Sequence, residues 1–265
     1  MFTIQKLVQP ETIEEAYKLL IEKKSNTVIG GSAFLRMGSK RIGTAIDLSK
    51  LNLNYIKDYS DYIEIGAMTT FRDIETNNEL KKYFNGLLPK SVSNIIGVQF
   101  RNVVTVGATV YSKYGFSDFI TALLSLDVDV ELCETGRISL EEFLNMPYKK
   151  DILTKIFIKK NNTKACYKDF RNSISDYPIL NVAVSSTDSQ WKIVAGARPR
   201  GAGIAKNASL ELSKGSLTDK EIDNAANMAS EELAFGSNMR AEGEYRKVIC
   251  KVLVKRAVME VLQCK

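Results

Sequence analysis

Two short runs of small residues carry the clearest chemical signal in the chain. The first is Thr27-Val28-Ile29-Gly30-Gly31-Ser32-Ala33; the second is Thr105-Val106-Gly107-Ala108-Thr109. Each glycine turn is bounded by apolar residues and falls where a strand should end. Glycine lets the backbone come close to a ligand, and successive exposed amides cradle the oxygens of an anion. Two such turns together point to a clamp for a diphosphate. Either one alone reads as well as a tight turn. The first has neither the G-x-G-x-x-G nor the G-x-x-x-x-G-K-[ST] pattern.

Little else in the chain can do chemistry unaided. It contains no histidine. That removes Ser-His and Cys-His nucleophiles, histidine bases, histidine metal ligands and histidyl attachment of a cofactor. The cysteines, Cys133, Cys166, Cys250 and Cys264, are scattered. Without C-x-x-C spacing they suit free thiols in a reducing cytoplasm better than zinc or iron–sulfur ligation. No catalytic residue and no metal ligand is therefore assigned. If the chain serves catalysis, a bound cofactor supplies the chemistry.

The elements around the turns follow from patterning. Thr12 and Glu15 fit a capping box, and Ile13, Ala16, Tyr17, Leu20 and Ile21 then share a helical face. Thr27-Val28-Ile29 is a short strand entering the first turn, Phe34 to Met37 a helical turn and Thr44 to Leu48 a second strand. Tyr62 to Gly66 alternates as a strand. Leu87 to Gly97 is helical in part, and Val103 to Val110 reads as a strand interrupted at Gly107. Ser117-Asp118 caps a helix from Phe119 to Leu126. Asp129 to Leu132 is a further strand. After Pro147 the pattern changes. Leu153–Lys159, Ala165–Arg171, Leu180–Ser186 and Trp191–Gly196 read as strands, followed by helices over Thr218–Ala234 and Asn238–Leu262. Strands followed by helices suggest a separate α+β domain.

Composition bounds the rest. With 265 residues, 45% of them hydrophobic, the chain has enough apolar content for two cores. Net charge is +6, with basic groups gathered late at Arg240, Arg246, Lys247, Lys251, Lys255 and Arg256. That stretch is a candidate docking face; without interleaved aromatic residues it does not suggest nucleic acid. The stripe Val248, Val252, Val254 and Val258 reads equally as part of such a face or as intrachain core. No apolar run approaches the ~20 residues of a membrane span. Met1-Phe2-Thr3-Ile4 has no signal-peptide character, so the expected location is cytoplasmic.

At this point the chain resembles a known family, over nearly its whole length. Val28 to Ser32 matches the first flavin loop of the flavin-binding subunits of molybdenum hydroxylases, a group that includes xanthine dehydrogenase and carbon monoxide dehydrogenase. Ala45-Ile46-Asp47-Leu48-Ser49 and Ile63 to Ala67 match the family's I-D-L-S and I-G-A segments. Arg101 to Thr109 is similar to R-N-x-[AG]-[ST]-[IL]-G-G-N, with Ala108 and Thr109 in place of the usual glycine and asparagine. Ser117-Asp118 and Leu123 to Asp127 match S-D-x-x-P-x-L-L-A-L-x-A, and Met239-Arg240 with Glu244-Tyr245-Arg246 match M-R-x-S-x-x-Y-R. Lys113-Tyr114-Gly115-Phe116 replaces a small, proline-containing stretch. The nearest likeness is to short stand-alone flavin subunits of bacterial purine-type hydroxylases.

The resemblance implies an α+β fold. A two-subdomain FAD-binding domain of PCMH type would span residues 1–148, with subdomains of about 1–50 and 51–148. A small C-terminal domain of antiparallel sheet plus helices, of the CO dehydrogenase flavoprotein type, would span 151–265. It implies FAD as cofactor, with Thr27 to Ala33 wrapping the diphosphate through backbone amides. Thr105 to Thr109 would be the opposing jaw through hydroxyls and amides. Ile95 would pack on the flavin, Asp118 would bond flavin-side hydroxyls, and Leu153 and Arg171 would line the isoalloxazine. For Asp118 helix capping, and for Leu153 ordinary strand core, are the competing readings. The implied function is electron transfer in a xanthine dehydrogenase-like enzyme. Its partners would be a molybdopterin-binding large subunit and a two-iron, two-sulfur subunit, with NAD or another molecule as the electron acceptor. A stand-alone flavin oxidoreductase and a degenerate flavin domain kept for assembly are the alternatives.

Overall fold

The computed structural model describes residues 1–215 and 217–264. The chain divides into two units that are not contiguous in sequence. The first comprises Met1–Asp73, Gly97–Ser112 and Val128–Ile158; the second comprises Ile74–Ile96, Lys113–Asp127 and the chain from Lys159 onward.

The first unit holds a three-stranded parallel sheet and a five-stranded sheet. In the parallel sheet strand Arg41–Asp47 lies between Thr3–Val8 and Thr27–Ile29. Parallel strands need crossovers, and helix Ile13–Glu22 supplies the one between the two outer strands, Thr3–Val8 and Thr27–Ile29. Thr12 caps that helix by accepting the Glu15 amide, and the Glu15 carboxylate accepts the Glu11 amide. Its far end is closed from a distance: the Lys150 ammonium donates to the carbonyls of Leu20, Lys23 and Asn26 at 3.0, 2.8 and 3.3 Å. Cations favour this end, where carbonyls lack intrahelical partners. Ala16 and Leu20 enter the core with Ile46, Leu48 and Ile152, but Ile21, expected on the same face, is exposed. Strand Thr3–Val8 has no amphipathic signature because most of it is exposed, and patterning does not reveal it.

The five-stranded sheet runs Ile56–Asp58, Tyr62–Gly66, Leu153–Lys159, Val128–Leu132, Gly136–Ser139. Strand Leu153–Lys159, expected to open the C-terminal group, instead lies at the centre of this sheet. Its side chains are almost all buried, as a central strand covered on both faces requires. A second correction concerns Val103–Val110. The segment is not a strand; it becomes a helix, Val106–Tyr111, with Thr105 as its N-cap accepting the Ala108 amide. The β-branched residues of the run favour a strand locally. Tertiary hydrogen bonds decide otherwise, for Val106 and Gly107 donate to the carbonyls of Thr69 and Ala67.

The second unit is built on an antiparallel sheet, ordered Gly203–Ile204, Gln190–Gly196, Leu180–Thr187, Lys164–Phe170. Strand Leu180–Thr187 alternates between two environments. Leu180, Val182 and Val184 face a core shared with helices Lys206–Leu212, Asp219–Glu232 and Gly243–Gln263. Asn181 and Ser185 bond Thr121 of helix Asp118–Leu124 and the carbonyl of Ser125, the residue after it. Thr218 and Glu221 form a full capping box at the start of Asp219–Glu232. Arg246 does not belong to any docking face. It is fully buried, donating to the carbonyls of Ile179 and Ala197 and to Asn238.

The long C-terminal helix is tied to the sheet by Glu260, which bonds Lys168 and Lys90. Burial pushes its carboxyl up, but the two lysines, with Cys166, outweigh that and hold it at about 2, against an ordinary 4.5. A carboxyl depressed in the folded state contributes stability above its unfolded value and loses it as the pH falls through its folded value. Glu260→Gln should therefore lower stability at neutral pH, and the deficit should shrink as the pH drops from 4.5 towards about 2. Denaturant melts across this window test the direction; a deficit that does not change with pH contradicts it. Glu260 is half-exposed, so solvent reduces the size of the effect.

Candidate functional site

The two turns named from sequence lie against each other within the first unit. Gly31 is pressed onto the backbone of Val103: a Cβ there would lie 1.4 Å from the Val103 carbonyl oxygen. At Gly30 a Cβ would lie 2.7 Å from Thr105 Oγ1 and 3.2 Å from the Ala108 methyl. Close approach, rather than a left-handed backbone, is thus what demands glycine at both positions. Ser32 is the residue with positive φ, 58°, and its hydroxyl donates to the Gly30 carbonyl, curling the loop. Phe34 meets Phe100 edge to face, with ring centroids 6.2 Å apart.

Among the described residues, the amides of Gly30, Gly31, Ser32 and Ala33 donate to no protein acceptor. All four residues are only partly buried. Four consecutive free amides at the end of a parallel strand, with a left-handed residue among them, form an anion-binding concavity. The donor set suits the diphosphate of a dinucleotide, which offers several oxygens and no donors.

The second turn has a different role from the one expected. Val106 and Gly107 donate to Thr69 and Ala67, Ala108 to Thr105 Oγ1, and Thr109 to the Thr105 carbonyl. Its amides are committed, so it does not form an opposing jaw of donors. It is the wall on which the first loop rests. Ala108 lies in a helix with negative φ, so alanine in place of glycine carries no backbone strain. Its methyl group covers Gly30.

The other expected site residues are placed as follows. Leu153 is 3% exposed in the middle of the five-stranded sheet and has no surface to offer a ring; it is strand core. Ile95 belongs to the second unit, just beyond helix Leu87–Ser93. Asp118 and Arg171 also lie in that unit, and they serve each other rather than acting separately. Arg171 Nη2 lies 2.8 Å from Asp118 Oδ1, with both side chains about 95% buried. The same oxygen accepts from Tyr167 and, at 3.0 Å, from Asn181. Arg171 Nε bonds Asp169 at 2.5 Å and Nη1 bonds the Asp176 carbonyl at 2.6 Å. Nη2 points no N–H along a hydrogen bond. Ser117, not Asp118, caps the helix. Burial pushes the Asp118 carboxyl up against the pull of Arg171, and burial together with the Asp118 charge pushes Tyr167 up strongly.

Sequence reasoning missed Val103, Ala67 and Thr69, whose carbonyls shape or satisfy the turns, and Tyr167 and Asn181, which complete the buried cluster. Asn181 had a signal: it is the one polar residue in Leu180-Asn181-Val182-Ala183-Val184. The carbonyls had none, since backbone acceptors leave no mark on residue type.

Among the described residues no His, Cys, Asp and Glu cluster could hold a metal ion, the cysteines are free, and no helix is long and apolar enough to cross a membrane. The amide cradle is the distinctive chemistry of the site.

Comparison with known proteins identifies the family. Residues 2–160 match the FAD binding domain in molybdopterin dehydrogenase, and residues 165–261 match the CO dehydrogenase flavoprotein C-terminal domain. The chain is 27% identical to the glyceraldehyde dehydrogenase medium chain of Sulfolobus acidocaldarius, covering 96% of this chain and 97% of that protein. It is 24% identical to the nicotine 6-hydroxylase medium subunit of Paenarthrobacter nicotinovorans, covering 95% of each. Among solved structures, a carbon monoxide dehydrogenase chain from Hydrogenophaga pseudoflava superposes with a TM-score of 0.91 at 19% identity over 99% of both chains. The chain therefore belongs to the family of FAD-binding domains of molybdopterin dehydrogenases, carries the family's CO dehydrogenase-type C-terminal domain, and has FAD as its cofactor.

Proposed function

We propose that the chain is the FAD-carrying electron-transfer subunit of a multi-subunit molybdenum hydroxylase. It would work beside a molybdopterin-binding large subunit and a two-iron, two-sulfur subunit. The observation that carries this reading is the row of free amides over Gly30–Ala33. The relatives named medium chain and medium subunit match almost end to end, which supports a companion role for this chain. So does its own inventory: it has no histidine, and its cysteines stand apart.

Bound FAD supplies the two-electron redox chemistry that no side chain here provides. The chain's work is to bind and orient. Amides of Gly30, Gly31, Ser32 and Ala33 would hold the diphosphate, and the Thr105–Ala108 wall would fix the loop that presents them. Thr27, Val28 and Ile29 anchor that loop in the parallel sheet. Preformed donors lose little freedom on binding, which favours tight retention without a covalent link.

For the finer assignment we carry forward a companion that oxidises purine-type heterocycles and NAD⁺ as the final acceptor. The likeness to short purine-type flavin subunits supports it. The relatives named for glyceraldehyde and nicotine match this chain almost end to end, which supports substrate choice residing in a companion subunit rather than here.

The test has two stages. The purified chain should take up FAD stoichiometrically and show oxidised-flavin absorbance. Co-assembled with its large and iron–sulfur subunits, it should bleach on addition of xanthine and recover on addition of NAD⁺. A colourless chain that takes up no FAD overturns the function. Bleaching by another substrate class, or recovery with a quinone alone, overturns only the finer assignment.

A further inference from the structure

The first loop does not end with the free amides of Gly30–Ala33. Phe34 follows them directly and opens the short turn Leu35–Met37. The Arg36 amide donates to the Ser32 carbonyl at 3.2 Å, so the chain folds back one turn beyond the cradle. Phe100 belongs to the wall. Its carbonyl accepts the amides of Val103 and Val104, both at 3.1 Å, and the Val103 carbonyl is the atom against which Gly31 is pressed. Each turn thus contributes one ring, and the two rings meet at 90° with centroids 6.2 Å apart. Both residues are only partly buried. Two perpendicular rings make a corner: whichever presents its edge, each keeps a face that the other does not cover. A flat ring system can lie on one of them and meet the other edge-on, both favourable aromatic geometries.

The charge beside this corner has one sign. Residues 32–41 hold Arg36, Lys40 and Arg41 and neither Asp nor Glu. The Arg36 side chain is exposed and has no hydrogen bond or ion pair among the described residues. Anion donors, a ring corner and an unpaired guanidinium therefore follow one another along residues 30–36. FAD offers groups in the same order: a diphosphate and, one ribose away, a purine. Its isoalloxazine is further from the diphosphate, beyond the longer ribityl chain, and has a polar edge that a hydrocarbon corner cannot bond.

We propose that Phe34 and Phe100 hold the adenine of FAD by stacking and that Arg36 closes on the diphosphate. The proposal rests on FAD binding at the cradle and names the residues that take its adenosine half. The rings supply flat apolar surface, and Arg36 adds a full charge to what the neutral amides offer as dipoles. ADP, which carries this half and no flavin, is then a ligand of the flavin-free chain in its own right.

The experiment frees the full chain of flavin and measures ADP binding by calorimetry and FAD binding by absorbance. ADP should bind and compete with FAD. Phe34→Leu and Phe100→Leu keep apolar bulk but remove a flat face, and each should weaken ADP and FAD by the same factor, about tenfold. Phe34→Tyr should bind both as the unaltered chain does. Arg36→Gln should weaken both ligands several-fold at low salt and little at high salt, because salt screens the contact that is lost. Lys18→Gln, which removes an exposed cation on helix Ile13–Glu22, should change neither. Melting temperatures of the flavin-free variants should stay close to that of the unaltered chain. A chain that takes up FAD but not ADP overturns the inference and leaves the flavin role standing. So do ring variants that bind both ligands normally, or that weaken FAD and leave ADP unchanged, since the corner then holds no adenine. A chain that takes up neither ligand overturns the flavin role as well.

Discussion

Gly31→Ala should abolish stable FAD retention. The added methyl would sit 1.4 Å from the Val103 carbonyl oxygen, a main-chain atom that cannot swing aside as a side chain can. The loop must lift from its wall, and the amides of Gly30 to Ala33 then lose their common direction. Forcing one methyl group into a packed site costs about 1–3 kcal/mol, and the misalignment of four donors adds to it. FAD affinity should fall on the order of 100-fold, about 2.7 kcal/mol. Gly38→Ala is the control: its Cβ would meet only the Leu35 carbonyl, at 3.7 Å, so flavin content should not change. Flavin absorbance after gel filtration reads the outcome, with far-ultraviolet circular dichroism to follow the fold. Because Gly31 touches backbone, some loss of stability should accompany the loss of flavin. A Gly31→Ala chain that keeps its flavin would remove the cradle from consideration.

Asp118→Ala should be among the most destabilising single substitutions in the second unit. Asp118 and Arg171 are both about 95% buried and share one hydrogen-bonded cluster with Tyr167, Asn181 and Asp169. Removing the carboxylate leaves the buried Arg171 guanidinium with Asp169 as its one carboxylate partner and deprives the buried Tyr167 hydroxyl and Asn181 amide of their acceptor. Breaking a buried pair from one side costs roughly 3–5 kcal/mol. Replacing both partners, Asp118→Leu with Arg171→Met, removes that incompletely paired charge and should recover a large part of that loss, a non-additivity that a double-mutant cycle measures. The cycle also distinguishes two roles. If Asp118 and Arg171 mainly held each other, the single variants would lose stability and the double variant would regain it. If they mainly addressed the flavin, all three would lose FAD in parallel while their melting temperatures stayed close to the unaltered chain.

The fold was legible where a local rule and the tertiary demand coincided. Thr12 and Thr218 cap the helices their sequences announce, and the alternation of Tyr62 to Gly66 and Leu180 to Ser186 marks real strands. It was illegible where local preference lost. Val103 to Val110 is rich in β-branched residues and still ends in a helix, because Ala67 and Thr69 supply acceptors to its first amides. Strand Thr3–Val8 escaped notice because its exposure leaves no hydrophobic period to read. Leu153–Lys159 reads as a strand from its residues, but which strands flank it is a long-range property that residue type does not record.

The candidate site shows the same division. Sequence alone pointed to a bound cofactor as the source of any redox chemistry here, because the chain has no histidine and no grouped cysteines. It also determined where a backbone could approach an anion, because Gly30-Gly31 follows a β-rich stretch, and the ordered motifs named a family. Only the tertiary structure decided which amides are free. Gly30 to Ala33 point to no acceptor, whereas Val106 to Thr109 are all engaged. The two glycine turns look alike as letters, yet one is a donor cradle and the other its supporting wall. The reason is physical: residue type records what a side chain can do, but the availability of a backbone amide depends on which distant carbonyl folding brings to it.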